Sequence, residues 1–279
     1  RVDLDPSGRL AQGTPVTVHP ARFGSALPGI EDEPHLWPGG SYLGIASTHP
    51  HTQGAMSELL IVEEGMLRVL PDALPLRRAA LAEPLAVSLH AAERAGDLTG
   101  ARVLVSGAGP IGLLTAAAAR ARGAAEVTVS DLLSEPLARA QAIGADATLR
   151  VGADEIPADS FDVVFECSGA SPAISTAFVA ARRRGTVVQV GMVPAEARPL
   201  AIAPLISKEL SLIGVFRFKD EIDEAVRLLA ERPEIEEVLT HVFAPADAAR
   251  AFEIARDSSQ SGKVVVAMSA EAQRDSELS

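Results

Sequence analysis

Two features of this sequence have the residue types and spacing to do chemistry, and the first is a single carboxylate. Glu83 lies in ALAEPLAVSLHA, residues 80–91, a run of small and apolar residues that we expect to be buried. A buried carboxylate must be paired, hydrogen-bonded or bound to a metal. The sequence therefore predicts a partner for Glu83 without naming it.

The second feature is a glycine turn in VLVSGAGPIGLL, where Gly107-x-Gly109-Pro110-Ile111-Gly112 joins a predicted strand to a predicted helix. The first glycine permits a tight bend, the second lets the backbone approach a pyrophosphate, and the third lets helix and strand pack closely. The helix N-terminus presents free N–H groups to the anion. This pattern predicts a dinucleotide site, and a glycine-rich turn of purely structural role is the alternative.

An acidic residue follows at the spacing of a ribose-binding carboxylate. Asp131 ends the next predicted strand, EVTVSD, 24 residues after Gly107. A carboxylate there accepts hydrogen bonds from a ribose diol and repels a 2′-phosphate, and the neighbouring Leu132 and Leu133 supply no arginine. We therefore predict NAD rather than NADP. Asp131 could instead cap the following helix, but Ser134 suits that role better.

Strands and helices must position these residues, and the predicted pattern of secondary structure changes along the chain. From residue 1 to about 70, short β segments such as TPVTVHP, MSELLIV and MLRVLP alternate with Gly- and Pro-rich stretches. After residue 100, strands of Val, Leu and Ile alternate with helices, which predicts an α/β fold with a doubly wound parallel sheet of Rossmann type. Residues 219–279 predict helix, strand, helix and strand, packing back on the first region.

The composition argues against several classes of partner. With 25 basic and 37 acidic residues the net charge is −12, which disfavours nucleic acid and anionic membranes. We expect the one basic cluster, Arg182–Arg184, to lie at a solvated helix end. A single cysteine, Cys167, excludes an intramolecular disulfide and an all-cysteine zinc site, so we expect a cytoplasmic protein.

Several stretches resemble the zinc-dependent medium-chain dehydrogenases, in particular their sorbitol and L-idonate dehydrogenase branch. They include LAEPLAVSLHAAERAG, VLVSGAGPIG, FDVVFECSGA, VVQVGM and KELSLIGVFRF. The resemblance implies a GroES-like catalytic domain over residues 1–88, a Rossmann NAD-binding domain over 89–218, and a segment over 219–279 that returns to the catalytic domain. It also implies a zinc-assisted enzyme that passes a hydride from a secondary alcohol of a polyol or sugar acid, with L-idonate the leading substrate, to NAD.

The same resemblance assigns roles to individual residues. Glu83 is expected at the catalytic zinc, as a ligand or through water. Phe216 and Arg217 are expected to reach cofactor and substrate, with a surface cation as the alternative for Arg217. The strand VVQ is followed by a turn made of Val190, Gly191 and Met192. This turn is expected to lie along the nicotinamide, and the alternative is that it only ends a buried strand.

The sequence departs from the family pattern in three places. The family's other catalytic-zinc ligands, a cysteine and a Gly-His-Glu block, lie upstream of the segment matching the start of this chain, so we expect a truncated N-terminus and weak or no turnover. The structural-zinc cysteines correspond to positions near Gly24, Leu27, Ile30 and Pro38, so no structural zinc is expected. Pro136 stands where relatives often carry an arginine that contacts adenosine.

The histidines and the cysteine are weaker candidates. His49 and His51 in STHPHTQG favour a cleft wall or a plain loop over a metal pair, and we expect His90 to be a packed helix residue. Glu31, Asp32, Glu33 and His35 favour a solvated loop over a cation site. We interpret Cys167 as a buried small residue near the cofactor rather than a nucleophile.

Two rival functions remain open at this stage. One is a non-catalytic NAD(H)-binding protein, and the other is a zinc-free reductase in the manner of the quinone reductases. The strand in LSLIGVF could pair with its copy in a second subunit, as it does in the family, which predicts a homodimer or homotetramer. The expected partner is a small-molecule polyol or sugar acid.

Overall fold

The computed structural model describes residues 1–45 and 49–269. The strands are β1 (Val16–Val18), β2 (Ala21–Arg22), β3 (Ser41–Tyr42), β4 (Leu67–Val69), β5 (Arg102–Ser106), β6 (Glu126–Asp131), β7 (Ala147–Arg150), β8 (Phe161–Glu166), β9 (Ala181–Gln189), β10 (Ser211–Gly214), β11 (Leu239–Phe243) and β12 (Lys263–Val266). The α-helices are α1 (Leu76–Ala79), α2 (Ala82–Arg94), α3 (Pro110–Ala121), α4 (Ser134–Ala142), α5 (Ser171–Ala180), α6 (Ala203–Ser207), α7 (Ile222–Glu231) and α8 (Ala248–Ala255). Short 3₁₀ helices cover Pro34–Leu36, Glu64–Met66, Pro233–Val238 and Pro245–Asp247.

Six parallel strands form the central sheet, in the order β7-β6-β5-β8-β9-β10. Helices α3, α4 and α5 connect strands of the sheet, and the strands are apolar on both faces. In β5, for example, Val103, Leu104 and Val105 are at most 1% exposed. The predicted doubly wound sheet of Rossmann type is confirmed. Because the strand order reverses beside β5, a crevice opens at the carboxyl ends of β5 and β8.

One apolar core joins this sheet to α2 and to the tail of the chain. Leu85 and Leu89 of α2 are fully buried in the same cluster as Leu113 of α3 and Leu229 of α7. Beyond α7, β11 and β12 pair in parallel. The tail therefore packs against the helix that carries Glu83, while the domain boundaries after residues 88 and 218 stay predictions.

The first 70 residues form two small antiparallel sheets, in which β1 pairs with β4 and β2 with β3. The prediction of a strand in MSELLIV is wrong. Leu59 and Ile61 are 71% and 95% exposed. Apolar residues form a stable strand only when another strand pairs with them, and no described strand pairs with residues 56–62.

Two expectations about helix ends are also wrong. Arg182–Arg184 lie in β9, because α5 ends at Ala180 and pairing with β8 begins at the next residue. Ser134 does not cap α4. It is the first residue of that helix, and the preceding Leu133 makes no side-chain cap.

Residues 23–40 form a loop whose buried anchor is His35. The His35 ring centroid lies 4.7 Å from that of His90 on α2. The Nδ1 of His90 donates a hydrogen bond to Oε1 of Glu221, with 2.7 Å between the atoms, so His90 is a packed helix residue as predicted. Burial lowers the pKa of His35, and His90 lowers it further, while Glu33 opposes this. His35 is therefore held neutral against α2.

We expect acid to weaken this anchor. Because the folded-state pKa of His35 lies below the unfolded value near 6.5, the unfolded chain binds more protons as the pH falls through about 6.5, and the free energy of unfolding decreases. The pKa of Glu221 is also lowered: burial is the largest single cause and acts to raise it, but the hydrogen bonds from His90 and from backbone N–H groups, together with the charge of His90, outweigh it. Its contribution to stability is lost only at more acid pH, as the pH falls through its folded-state value.

The measurement is the melting temperature at steps between about pH 7.5 and 5.5. The chain should melt several degrees lower at the acid end. His35→Gln should flatten this dependence, whereas the exposed His49→Gln should leave it unchanged. An equal slope in the chain and in His35→Gln would contradict the assignment.

Candidate functional site

The glycine turn lies where β5 becomes α3, at the crevice. Gly107 has a positive φ of 99°, which only glycine adopts readily. A Cβ added to Gly112 would overlap the carbonyl oxygen of Gly107, so the helix can approach the strand this closely only without a side chain. A Cβ added to Gly109 would meet no atom within 4 Å, because this residue faces open space. That space is where the sequence predicts a pyrophosphate.

The N-terminus of α3 faces the same space. Gly109 is the N-cap and Pro110 the first helical residue, followed by Ile111. Backbone N–H groups in the first turn of a helix have no partner within the helix and carry the positive end of its dipole. The turn is therefore able to bind an anion through backbone groups alone.

Asp131 lies against this turn, at the end of β6. Its Oδ2 accepts a hydrogen bond from the backbone N–H of Ala108 at 2.7 Å, and its Oδ1 accepts one from Leu133 at 3.0 Å. The carboxylate is thus fixed beside the middle of the glycine turn, at the position predicted for a ribose-binding acid. Its role in binding ribose stays a prediction.

The other wall of the crevice is built by the ends of β8 and β9. The backbone N–H groups of Val190 and Gly191 donate to the carbonyl oxygen of Glu166, at 2.9 and 2.8 Å. A Cβ on Gly191 would overlap the backbone nitrogen of Gly169, so these two turns pack backbone against backbone. Met192, next in the chain, is 84% exposed. The structure thus brings the predicted nicotinamide turn to the crevice.

Glu83 lies in the first turn of α2, half-buried. Its Oε1 accepts a hydrogen bond from the hydroxyl of Tyr42 at 2.6 Å. Burial, and then the neighbouring Glu83 carboxylate, raise the pKa of Tyr42 above its usual range. The hydroxyl therefore stays protonated and donates the hydrogen bond to Glu83. Tyr42 is the partner that the sequence analysis could not name.

Arg217 completes this group. Its guanidinium carbon lies 4.4 Å from the ring centre of Tyr42 and 4.6 Å from that of Phe216. Such stacking on two aromatic faces stabilises the cation and orients it. The backbone of Arg217 has a φ of 53°, a strained conformation for a residue other than glycine, and strain of this kind concentrates at functional sites.

The described residues do not form a zinc site on their own. Within residues 1–45 and 49–269, no three His, Cys, Asp or Glu side chains lie close enough together to hold a metal ion. Glu83 contributes one carboxylate, already hydrogen-bonded to Tyr42. The rings of His49 and His51 lie edge to face, with 6.0 Å between their centroids, while Ser47 and Thr48 of the same stretch lie outside the described residues. The metal role of Glu83 stays a prediction.

Comparison of the sequence with known proteins agrees with the geometry of this crevice. Residues 110–231 match the zinc-binding dehydrogenase family. The chain is 36% identical to L-idonate 5-dehydrogenase (NAD(P)(+)) of Escherichia coli, over 80% of this chain and 67% of that protein. The chain belongs to the zinc-binding dehydrogenase family. It is also 38% identical to sorbitol dehydrogenase of Rattus norvegicus, over 67% of this chain and 55% of that protein.

A solved structure confirms the fold of this zinc-binding dehydrogenase. The crystal structure of L-idonate 5-dehydrogenase from Escherichia coli matches it with a TM-score of 0.89 and 33% identity, over 95% of this chain and 79% of that one. The chain spans between about half and two-thirds of the length of the curated relatives it matches. None of the helices described is long and apolar enough to cross a membrane.

Cys167 lies between the two walls of the crevice, half-buried behind Gly112. Its thiol is 3.8 Å from the hydroxyl of Thr115 on α3, and burial raises its pKa to about 12. The thiolate, which is the reactive form, is therefore scarce at neutral pH. This supports the interpretation of Cys167 as a packing residue.

We expect the thiol of Cys167 to react slowly with a disulfide reagent such as Ellman's reagent at pH 8. The folded chain should release the chromophore at least about a hundred times more slowly than the chain unfolded in guanidinium, since reaction requires the thiolate. Because Cys167 is the only cysteine, the signal needs no assignment. Rapid reaction of the folded chain would contradict this environment.

Proposed function

We propose that this chain is part or all of an NAD-dependent dehydrogenase that oxidises a secondary alcohol of a polyol or sugar acid, with L-idonate the leading substrate. The observation that carries the proposal is the crevice itself. Gly109 faces open space at the N-terminus of α3, and the Asp131 carboxylate is fixed beside it. Kinship to relatives named as L-idonate and sorbitol dehydrogenases supports the substrate class.

The surroundings of Asp131 support a preference for NAD over NADP. Leu132 beside it is exposed and uncharged, so it offers nothing to a 2′-phosphate. The nearby Arg139 donates hydrogen bonds to the carbonyl oxygens of Ser258 and Ser261, at 3.1 and 3.2 Å. A fixed carboxylate at this position repels a phosphate and accepts hydrogen bonds from ribose hydroxyls.

The chain's own residues have defined tasks in this proposal. The turn after β9 lies along the nicotinamide, and Phe216 and Arg217 close the site on the substrate side. Tyr42 holds the Glu83 carboxylate by its hydroxyl and stacks on Arg217, so that acid, phenol and cation stay in one arrangement. A catalytic zinc would polarise the alcohol, but we assign no step to it because the described residues do not form its site.

A second candidate is a non-catalytic NAD(H)-binding protein of the same fold. The observation in its favour is the lack of a three-ligand metal group among residues 1–45 and 49–269. Such a protein would bind NADH at the same crevice and oxidise no alcohol. The two candidates therefore share the cofactor site and differ in turnover.

Location and assembly complete the proposal. The single cysteine supports a cytoplasmic location. Strand β10 is at the edge of the central sheet, and Leu212 on it is 48% exposed. An uncovered edge strand can pair with another copy of itself, which supports a homodimer or homotetramer.

The test is NAD reduction, followed at 340 nm, with L-idonate, sorbitol, xylitol and threonine, using the product of the complete reading frame. We expect reduction with L-idonate or a polyol, at least about tenfold faster with NAD than with NADP, and its loss on zinc chelation. Activity that survives chelation would favour a zinc-free reductase. NADH binding without oxidation of any substrate would favour the non-catalytic protein.

A further inference from the structure

Glu166 is a second carboxylate in an apolar environment, at the carboxyl end of β8. It is fully buried and lies beside Ser106 of β5, across the point where the strand order reverses. A buried carboxylate without strong partners is very costly, so its surroundings must be arranged to stabilise it. No role in the proposed reaction has been assigned to it above.

Four neutral donors surround this carboxylate. Its Oε1 accepts from the backbone N–H of Ser168 at 2.9 Å and from the hydroxyl of the same residue. Its Oε2 accepts from the backbone N–H of Gly169 at 2.9 Å and from the side-chain amide of Gln189 at 2.6 Å. Both oxygens are thus used twice, and every partner is a donor.

These bonds tie two separate turns to one residue. The side chain of Glu166 holds residues 168–169 after β8, while its backbone carbonyl accepts from Val190 and Gly191 after β9. Gln189 adds a bridge, because its amide also donates to the carbonyl oxygen of Gly191 at 2.9 Å. The turn predicted to lie along the nicotinamide is therefore tied to Glu166 twice, directly by the backbone carbonyl and indirectly by the side chain through Gln189.

The two turns also touch directly, so a shift in one displaces the other. A Cβ on Gly169 would overlap the carbonyl oxygen of Met192, and a Cβ on Gly191 would overlap the backbone of residues 167–169. Backbone packed this closely transmits small displacements instead of absorbing them. The position of the turn over residues 190–192 therefore depends on the donors around Glu166.

We propose that Glu166 is a positioning residue, which sets the turn over residues 190–192 to receive the nicotinamide half of the coenzyme. The proposal rests on the proposed function, since it takes this crevice as the coenzyme site. Glu166 acts only through the two turns and touches no reacting atom. The adenosine half depends instead on Gly109 and Asp131, on the other wall.

Glu166→Gln tests the proposal with almost no change in shape. The new amide places an N–H₂ group against Ser168 or against Gly169 and Gln189, all of which are donors. The donors on that side of residue 166 then lose their acceptor and must move away. Asp162→Asn is the matched control. That carboxylate lies on the same strand, accepts from the backbone N–H of Arg102 at 2.8 Å, and is at the opposite end from the crevice.

The readout compares two ligands by titration calorimetry. NADH contacts both walls, whereas ADP-ribose lacks the nicotinamide. We expect Glu166→Gln to weaken NADH binding about tenfold while ADP-ribose binding changes less than about twofold, and Asp162→Asn to change neither. Equal weakening of both ligands, or of neither, would overturn the positioning role. Failure of the unmodified chain to bind either ligand would instead overturn the proposed function.

Gln189→Ala tests the positioning role of Glu166 if the Glu166→Gln variant does not fold. This substitution keeps the Glu166 carboxylate and its backbone donors, and removes only the bridge to Gly191. A smaller loss of NADH affinity, about threefold, with ADP-ribose unaffected, is the expected result. NADH affinity equal to that of the unmodified chain would overturn the proposal.

Discussion

The crevice depends on close contact between backbone segments that leave no room for side chains. At one wall Gly112 meets the carbonyl oxygen of Gly107, and at the other Gly191 meets Gly169. Only glycine permits such contacts. They let α3 begin directly above the end of β5 and let the turns after β8 and β9 lie side by side. The coenzyme site proposed for this chain uses the space that these contacts create.

The elements that carry Glu83 are locked to this crevice by a short polar chain inside the core. Ser88, on the same helix as Glu83, accepts a hydrogen bond from Thr115 of α3 at 3.2 Å. Thr115 in turn contacts the thiol of Cys167 at 3.8 Å, behind the glycine turn. On the far side of the same helix, His90 binds Glu221 of the tail. Substrate-side and coenzyme-side residues thus share one packed framework.

Much of this architecture could be predicted from the sequence because it depends on local pattern. Strands of Val, Leu and Ile, and a glycine turn followed by Asp131, identify the sheet and its coenzyme end. The strand predicted at residues 56–62 failed because a strand also needs a partner, which a local pattern does not report. Arg182–Arg184 were misplaced for a similar reason: pairing with β8 decides where α5 ends.

The partners of buried carboxylates were the hardest to predict. Tyr42 and Glu83 are separated by 41 residues, and nothing in either segment points to the other. Glu166 was missed although a signal was present. It ends the apolar strand FDVVFE, and the reasoning that singled out Glu83, that a buried acid requires partners, applies to it equally.

The account's central claim is that the open space at Gly109 receives the coenzyme. The most direct test is NADH binding, by titration calorimetry, to Gly109→Ala and to the control Gly65→Ala. An added Cβ meets no atom within 4 Å at either position, so both variants should melt like the unmodified chain. We predict that Gly109→Ala loses at least about tenfold in NADH affinity while Gly65→Ala loses none. Equal NADH affinity in all three proteins would contradict the claim.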